Sequence, residues 1–225
     1  MSRITWDAID TRRYEAGVDR GVLYPMDSVG VPWSGLLAVE ETYDGGELTS
    51  YAEDGNTYLA TVSPKDYSSK LRAFSAPKEF GPCVGDLEVK PGFILTRQKR
   101  SLFNFSYRTG ISDLGYKIHI VYNVLATPTS RSYATTNDTP DAVNLEWELA
   151  AVPLSAESYR PTAHFIVDTT KFTPYSISVL EDHLYGTDTT DPQLPMPNDT
   201  MTDLLSVEPD VGIVGTILEP IGGLI

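Results

Sequence analysis

Three histidines, His119, His164 and His183, are where acid–base or metal chemistry would first be sought in this chain of 225 residues. None belongs to an HExxH or other close-spaced ligand pair. His119 alternates opposite the apolar face of its segment and reads as a solvated or interface histidine. His183 falls in the last turn of a helical pattern, where a cation complements the helix dipole. Trp33-Ser34-Gly35 lacks the G-x-S-x-G elbow of a nucleophilic serine and reads as a turn. Glu146 and Glu148, two apart on one strand face, are of the type a glycosidase uses, although a solvent-facing acidic stripe is commoner. Asp44-Gly45-Gly46 and the Asp138/Asp141 pair lack the D-x-D-x-D-G series of a calcium loop, so turn chemistry accounts for them. Asn104, Asn137 and Asn198 begin N-x-S/T triplets with no secretion signal to give them meaning. There is no P-loop and no dinucleotide fingerprint. The expectation is a protein with no catalytic set, no cofactor and no metal.

The composition agrees. Seventeen Lys and Arg against 31 Asp and Glu leave a net charge of −14, which disfavours a protein that grips nucleic-acid phosphates. Cys83 stands alone, so neither a disulfide framework nor a cysteine-rich zinc site is available. MSRITWDAID lacks the apolar stretch of a secretory signal, and no apolar run has the roughly 20 residues that span a bilayer. The segment Val211 to Ile225 is the most apolar, but Glu219, Pro220 and four glycines interrupt it. Left in water it would aggregate, so it is expected to pack on protein through residues such as Val211, Ile213, Val214, Ile217 and Leu218.

The elements are mostly strands. LLAVEETY, LTSYAE and TYLATV are separated by Asp44-Gly45-Gly46 and Asp54-Gly55-Asn56, the turn chemistry of a strand meander; a brief helical turn could start at Val62-Ser63-Pro64. Another strand is expected at Lys70–Phe74. In LTRQKRSLFNFSYRTG, Phe103, Phe105 and Tyr107 share a face. In GYKIHIVYNVLA, Tyr116, Ile118, Ile120, Tyr122 and Val124 do. In AVNLEWELA, Val143, Leu145, Trp147 and Leu149 face inward, leaving Asn144, Glu146 and Glu148 outward. TAHFIVDTT is a further, nearly continuous apolar strand. The polar stretch between Thr127 and Ala142, with Arg131 and Tyr133, reads as a long loop that reaches out and orders on a neighbour. Pro174 to Tyr185 reads as a helix: Thr173 caps it, Pro174 opens it, Ile177, Leu180 and Leu184 form its stripe and Gly186 ends it.

These segments together carry a family resemblance. WDAIDTRRYEAGVDRGVLYP, GVPWSGLLAVEE, LRAFSAPKEFGPC, PGFILTRQKRSLFNFSYRT, GYKIHIVYNVLATPTSRSYATTNDTPDAVNLEWELAAVP and PTAHFIVDTTK resemble, in order across about residues 6–185, the major tail (tail tube) proteins of long-tailed bacteriophages. The resemblance implies a mainly β, sandwich or barrel-like tail-tube fold with a flanking helix and long β-hairpins. It implies subunits that self-assemble as homohexameric rings stacked into a tube in the virion tail, built in the host bacterial cytoplasm. The implied partners are other copies of the chain and other tail proteins: tape measure, distal tail protein and terminator. DNA crosses the lumen without specific binding, and no membrane is involved.

On this reading, residues 1–186 form the β domain and 187–225 an extended arm with an apolar end. Glu146, Glu148 and Asn144 are candidates to face the lumen, where carboxylates would repel passing phosphate. Asp44, Gly45, Gly46, Arg131, Tyr133 and the apolar end are candidates for contacts between subunits or rings. Two other readings stand beside it: a distal tail or terminator ring of related fold, and a host-recognition or carbohydrate-binding β-sandwich in which Trp33 and Tyr43 stack on sugars.

Overall fold

The computed structural model describes residues 13–26, 28–43, 48–53, 56–62, 67–129, 131, 133, 143–156 and 159–200. The chain is mainly β, organised on a large antiparallel sheet with a few short helices. Three strands form its two-sided centre: β1 (Glu15–Pro25), β9 (Phe103–Ile111) and β10 (Gly115–Pro128). β2 (Val31–Pro32) pairs with β1 at one edge. On the far side β10 pairs with two strands in succession. Lys117 to Val121 pair with β14 (His164–Asp168), and Val124 to Pro128 with β11 (Leu145–Ala151). The sheet then continues through β6 (Tyr67–Ala73) to β3 (Leu36–Tyr43).

The long β10 changes partner at a bulge. Its register with β9 breaks between Val121 and Val124, and Asn123 there has a φ of 48°. A bulge adds one residue and reverses which side chains face which way. Ile118, Ile120 and Tyr122 therefore lie under the helix, whereas Val124 joins the opposite core, contrary to the single face expected from alternation. Asn104 holds the bulge by accepting from the Asn123 N–H at 2.8 Å.

The two faces bury two different cores. One holds Val22, Tyr24, Ile118, Ile120, Tyr122 and Val167 against Ile177, Leu180 and Leu184 of α2 (Pro174–Tyr185). That helix is capped as its sequence requires: Thr173 accepts from the Ser176 N–H, Pro174 occupies the first turn and Gly186 follows the last. The other core lies inside the curl of the sheet, where Leu23, Phe103, Phe105, Tyr107, Val121 and Val124 meet Leu71, Trp147 and Leu149. The short helix α1 (Gly81–Val84) and the turn before it add Phe80, Cys83 and Val84. Curling brings β3 back towards β1: a Cβ on Gly21 would lie 3.1 Å from Leu36 Cδ2 and 3.3 Å from Trp33 Cβ, a tight fit that glycine relieves. Trp33 is 3% exposed and sits edge-on to Phe105 and Trp147. It is a core residue, not the exposed sugar platform considered above, because the curl closes over the turn that carries it.

Three pairs of strands form separate two-stranded sheets among the described residues: β4 (Leu48–Glu53) with β5 (Asn56–Val62), β7 (Leu87–Lys90) with β8 (Phe93–Leu95), and β12 (Leu154–Ala156) with β13 (Tyr159–Thr162). The expected meander is therefore rearranged. β3 pairs with β6, not β4, and β4 and β5, which lie between them in the chain, pair antiparallel with each other. Val143 is also more exposed than its place in the alternation suggested, because β11 begins two residues later, at Leu145. The expected strand before Phe103 is irregular up to Leu102. No helix among the described residues is long and apolar enough to cross a membrane.

Candidate assembly surfaces and a buried histidine cluster

Glu146 and Glu148 lie on the face of β11 opposite Trp147 and Leu149, and Asn144 is exposed just before the strand. Cross-strand partners give this face its electrostatics. Glu146 is opposite Arg72 and Glu148 opposite Lys70 on β6. On β3, Glu40 is next to Lys70 in register and pairs diagonally with Arg72 as an ion pair. The strip across β11, β6 and β3 thus carries three carboxylates and two cations in alternation, a pattern that stabilises the sheet and leaves a small acidic excess. Arg100 reaches the adjoining β10 edge, donating to the Ala126 carbonyl at 3.0 Å and to Thr127 Oγ1 at 2.7 Å.

Arg131 and Tyr133 are exposed. Asp44, Gly45, Gly46, Val211, Ile213, Val214, Ile217 and Leu218 lie outside the described residues, as does the turn expected at Ser63-Pro64. The first part of the expected arm, residues 187–200, runs along the domain itself. The Gly30 N–H donates to the Pro192 carbonyl at 3.0 Å, the Tyr122 hydroxyl donates to the Pro195 carbonyl at 2.9 Å, and Leu194 packs on the helix-side core.

A surface absent from the sequence-based expectations is the β7–β8 hairpin. Every residue of both strands is exposed, including Leu87, Val89, Phe93, Ile94 and Leu95, and none of them packs against either core; an ion pair between Glu88 and Lys78 links the hairpin to the turn before α1. Its turn is Pro91-Gly92, with Gly92 at φ 79° and its N–H donating to Glu88 Oε1 at 2.9 Å. A Pro-Gly pair between LEVK and FIL is a hairpin signal, legible in the sequence. What alternation could not show is that both faces stay open.

The second unexpected feature is a buried polar cluster inside the curl. His119 on β10 is only 6% exposed, not solvated, because the face opposite Ile118 and Ile120 is also covered. His119 Nδ1 lies 3.1 Å from His164 Nε2 on β14 and 3.2 Å from Glu41 Oε1 on β3. His164 Nε2 is 3.9 Å from the same carboxylate oxygen. Around them, Thr109 Oγ1 is 3.0 Å from His119 Nε2, the Tyr107 hydroxyl donates to Glu41 Oε1, and the Tyr107 and Tyr67 rings pack on His119 and His164. Burial drives the His164 pKa down to about 4, with the Glu41 charge opposing and His119 adding to the fall. Burial likewise raises Tyr67 to about 12 and pushes Tyr107 further up. At neutral pH the cluster therefore holds a neutral His164 and protonated phenols. Two imidazoles and a carboxylate are a donor set suited to a borderline divalent cation.

Outside the cores, Arg108 ties the helix to the sheet. It donates to both Asp19 oxygens, at 2.8 and 2.7 Å, lies 3.7 Å from Glu181 and covers the Tyr116 ring at 4.3 Å. The Tyr116 hydroxyl donates to Glu181 in turn, at 2.9 Å.

No family model and no curated protein matches the sequence. Among solved structures, similarity is found to the sheath/tube terminator of an extracellular contractile injection system (PVC) in the extended state, at 15% identity over 69% of this chain and 98% of that one, with a TM-score of 0.35. The sheath-tube complex of the same system is similar at 14% identity over 66% and 88%, TM-score 0.34. The tube-terminating cap of the anti-feeding prophage is similar at 12% identity over 66% and 87%, TM-score 0.34. Identities and scores this low leave function to be argued from the chain's own surfaces.

Proposed function

We propose that this chain is a structural subunit of a phage-tail-like particle, one that self-assembles into stacked hexameric rings forming a tube through which DNA passes. The observation that carries this reading is the β7–β8 hairpin, with Phe93 and Ile94 at 60% and 57% exposure and outside both hydrophobic cores. An isolated two-stranded hairpin is marginal in water, and an apolar one is an aggregation hazard unless a neighbour covers it. The β4–β5 and β12–β13 pairs also have outer edges without a ladder partner among the described residues. Addition of strands from adjacent copies satisfies such edges, and closing them around a ring leaves none open.

The charge suits a conduit. With a net charge of −14, the subunit repels phosphate overall. The β11–β6–β3 strip is our candidate for the lumen wall, with Glu146 and Glu148 facing the passing strand; of its interleaved cations, Arg72 is ion-paired with Glu40, and Lys70 stands in register between Glu40 and Glu148. The arm beyond residue 200, with its apolar end, is a further candidate contact between copies or rings, as are Asp44, Gly45, Gly46, Arg131 and Tyr133. No cofactor and no catalytic step is part of this function.

Electron microscopy of the purified protein, with light scattering across concentration, tests the proposal. Stacked rings or tubes are the expected result. Single rings that never stack would place the chain at a tube end, as a terminator or distal ring. A monomer at every concentration would refute self-assembly.

A further inference from the structure

We propose that Glu41, His119 and His164 form a binding site for one borderline divalent transition-metal cation of the zinc class, which clamps β3 onto the β10–β14 part of the sheet. The ligand atoms come from three strands, and β3 has no ladder with either of the others. Their separations of 3.1, 3.2 and 3.9 Å bracket the edge of a tetrahedral shell, roughly 3.4 Å for metal–ligand bonds of about 2.1 Å. Two imidazole nitrogens with one carboxylate oxygen favour Zn2+-like ions over Mg2+ or Ca2+, which take all-oxygen sites.

The surrounding groups are those that orient metal ligands. Thr109 Oγ1 at 3.0 Å from His119 Nε2 can accept that nitrogen's proton, which leaves the Nδ1 lone pair for the cation. Tyr107 holds the Glu41 carboxylate by donating to it. Without a metal, an imidazole N–H lies between the two histidine rings; on binding, His164 carries its proton on Nδ1 and turns the Nε2 lone pair to the cation. The partly exposed Glu41 provides the way in. No other group of three such ligands converges among the described residues. Since β3 is the root of the 36–73 excursion that ends in the β4–β5 hairpin, the cation would fix the base of that excursion on the body.

The test uses the full chain, stripped with chelator and titrated with Co2+ or Zn2+. We expect one Co2+ per chain with visible d–d absorption of low-coordinate cobalt, and a rise in Tm of roughly 5–10 °C when Zn2+ is at hundred-fold excess over its Kd. Glu41→Gln and His164→Gln should each weaken uptake by at least about 100-fold, and Thr109→Val by about 10-fold. X-ray absorption of the zinc-loaded wild type should show two imidazoles and oxygen in the first shell, a readout that needs no variant to fold. Absence of uptake by folded wild type, a first shell without imidazole, or wild-type affinity in both glutamine variants would overturn the site.

Discussion

Replacing Phe93 and Ile94 together by Asp separates assembly from folding. In the free subunit these side chains are 60% and 57% exposed, so the substitution removes almost nothing from the domain's own packing, and its stability should change by less than about 0.5 kcal/mol. In an assembly that covers the hairpin, the same exposed area is what a neighbour buries. Fully burying such a side chain is worth about 1.5–3 kcal/mol, so the exposed fractions put about 2–3.5 kcal/mol at stake per contact, or roughly 30- to 300-fold in its dissociation constant. Sedimentation velocity across concentration reads the association, and denaturant unfolding of the dilute subunit reads the stability. The expected pattern is a large shift in the first with none in the second. Unchanged assembly would remove the hairpin from the interface, and a parallel fall in stability would show that it packs on its own domain.

Other expectations concern the fold that presents these surfaces. Arg108→Ala should cost about 1–2 kcal/mol, from partly exposed ion pairs and a cation–π contact, measured by urea unfolding. Its hydrogen bond holds the Asp19 carboxyl below the ordinary 3.8, so the Asp19 contribution is complete above that value and is lost as pH falls through the lower folded pKa. The stability gap between wild type and variant should therefore narrow only in strong acid; a gap that closed near neutrality would contradict this. Thr173→Ala removes the cap of α2 and should cost about 1 kcal/mol, visible as a lower urea midpoint. Trp33→Ala empties a site enclosed by Phe80, Phe105 and Trp147 and should cost about 3–5 kcal/mol; a loss within error would mean that the turn is not part of the core. Glu146→Lys with Glu148→Lys should leave the domain folded and turn the β11–β6–β3 strip cationic, and assembled tubes should then retain DNA in a salt-dependent way if that strip lines the lumen.

Local signals determined much of this chain without tertiary information. The Thr173 cap, Pro174, the Ile177–Leu180–Leu184 stripe and Gly186 specify α2, because a helix end is decided within a few residues. Alternation placed Phe103, Phe105 and Tyr107 on one buried face, and the strand-like runs LTSYAE and TYLATV pair antiparallel as neighbours. Alternation states which side chains share a face, however, and not what covers it. Only the tertiary structure decided that β10 is buried on both sides, that the bulge at Asn123 sends Val124 to the other core, and that the β7–β8 hairpin is covered on neither. The meeting of His119 with His164, 45 residues away, and with Glu41 depends on the curl of the sheet, a sum of strand twists and long-range pairings that no window of sequence contains.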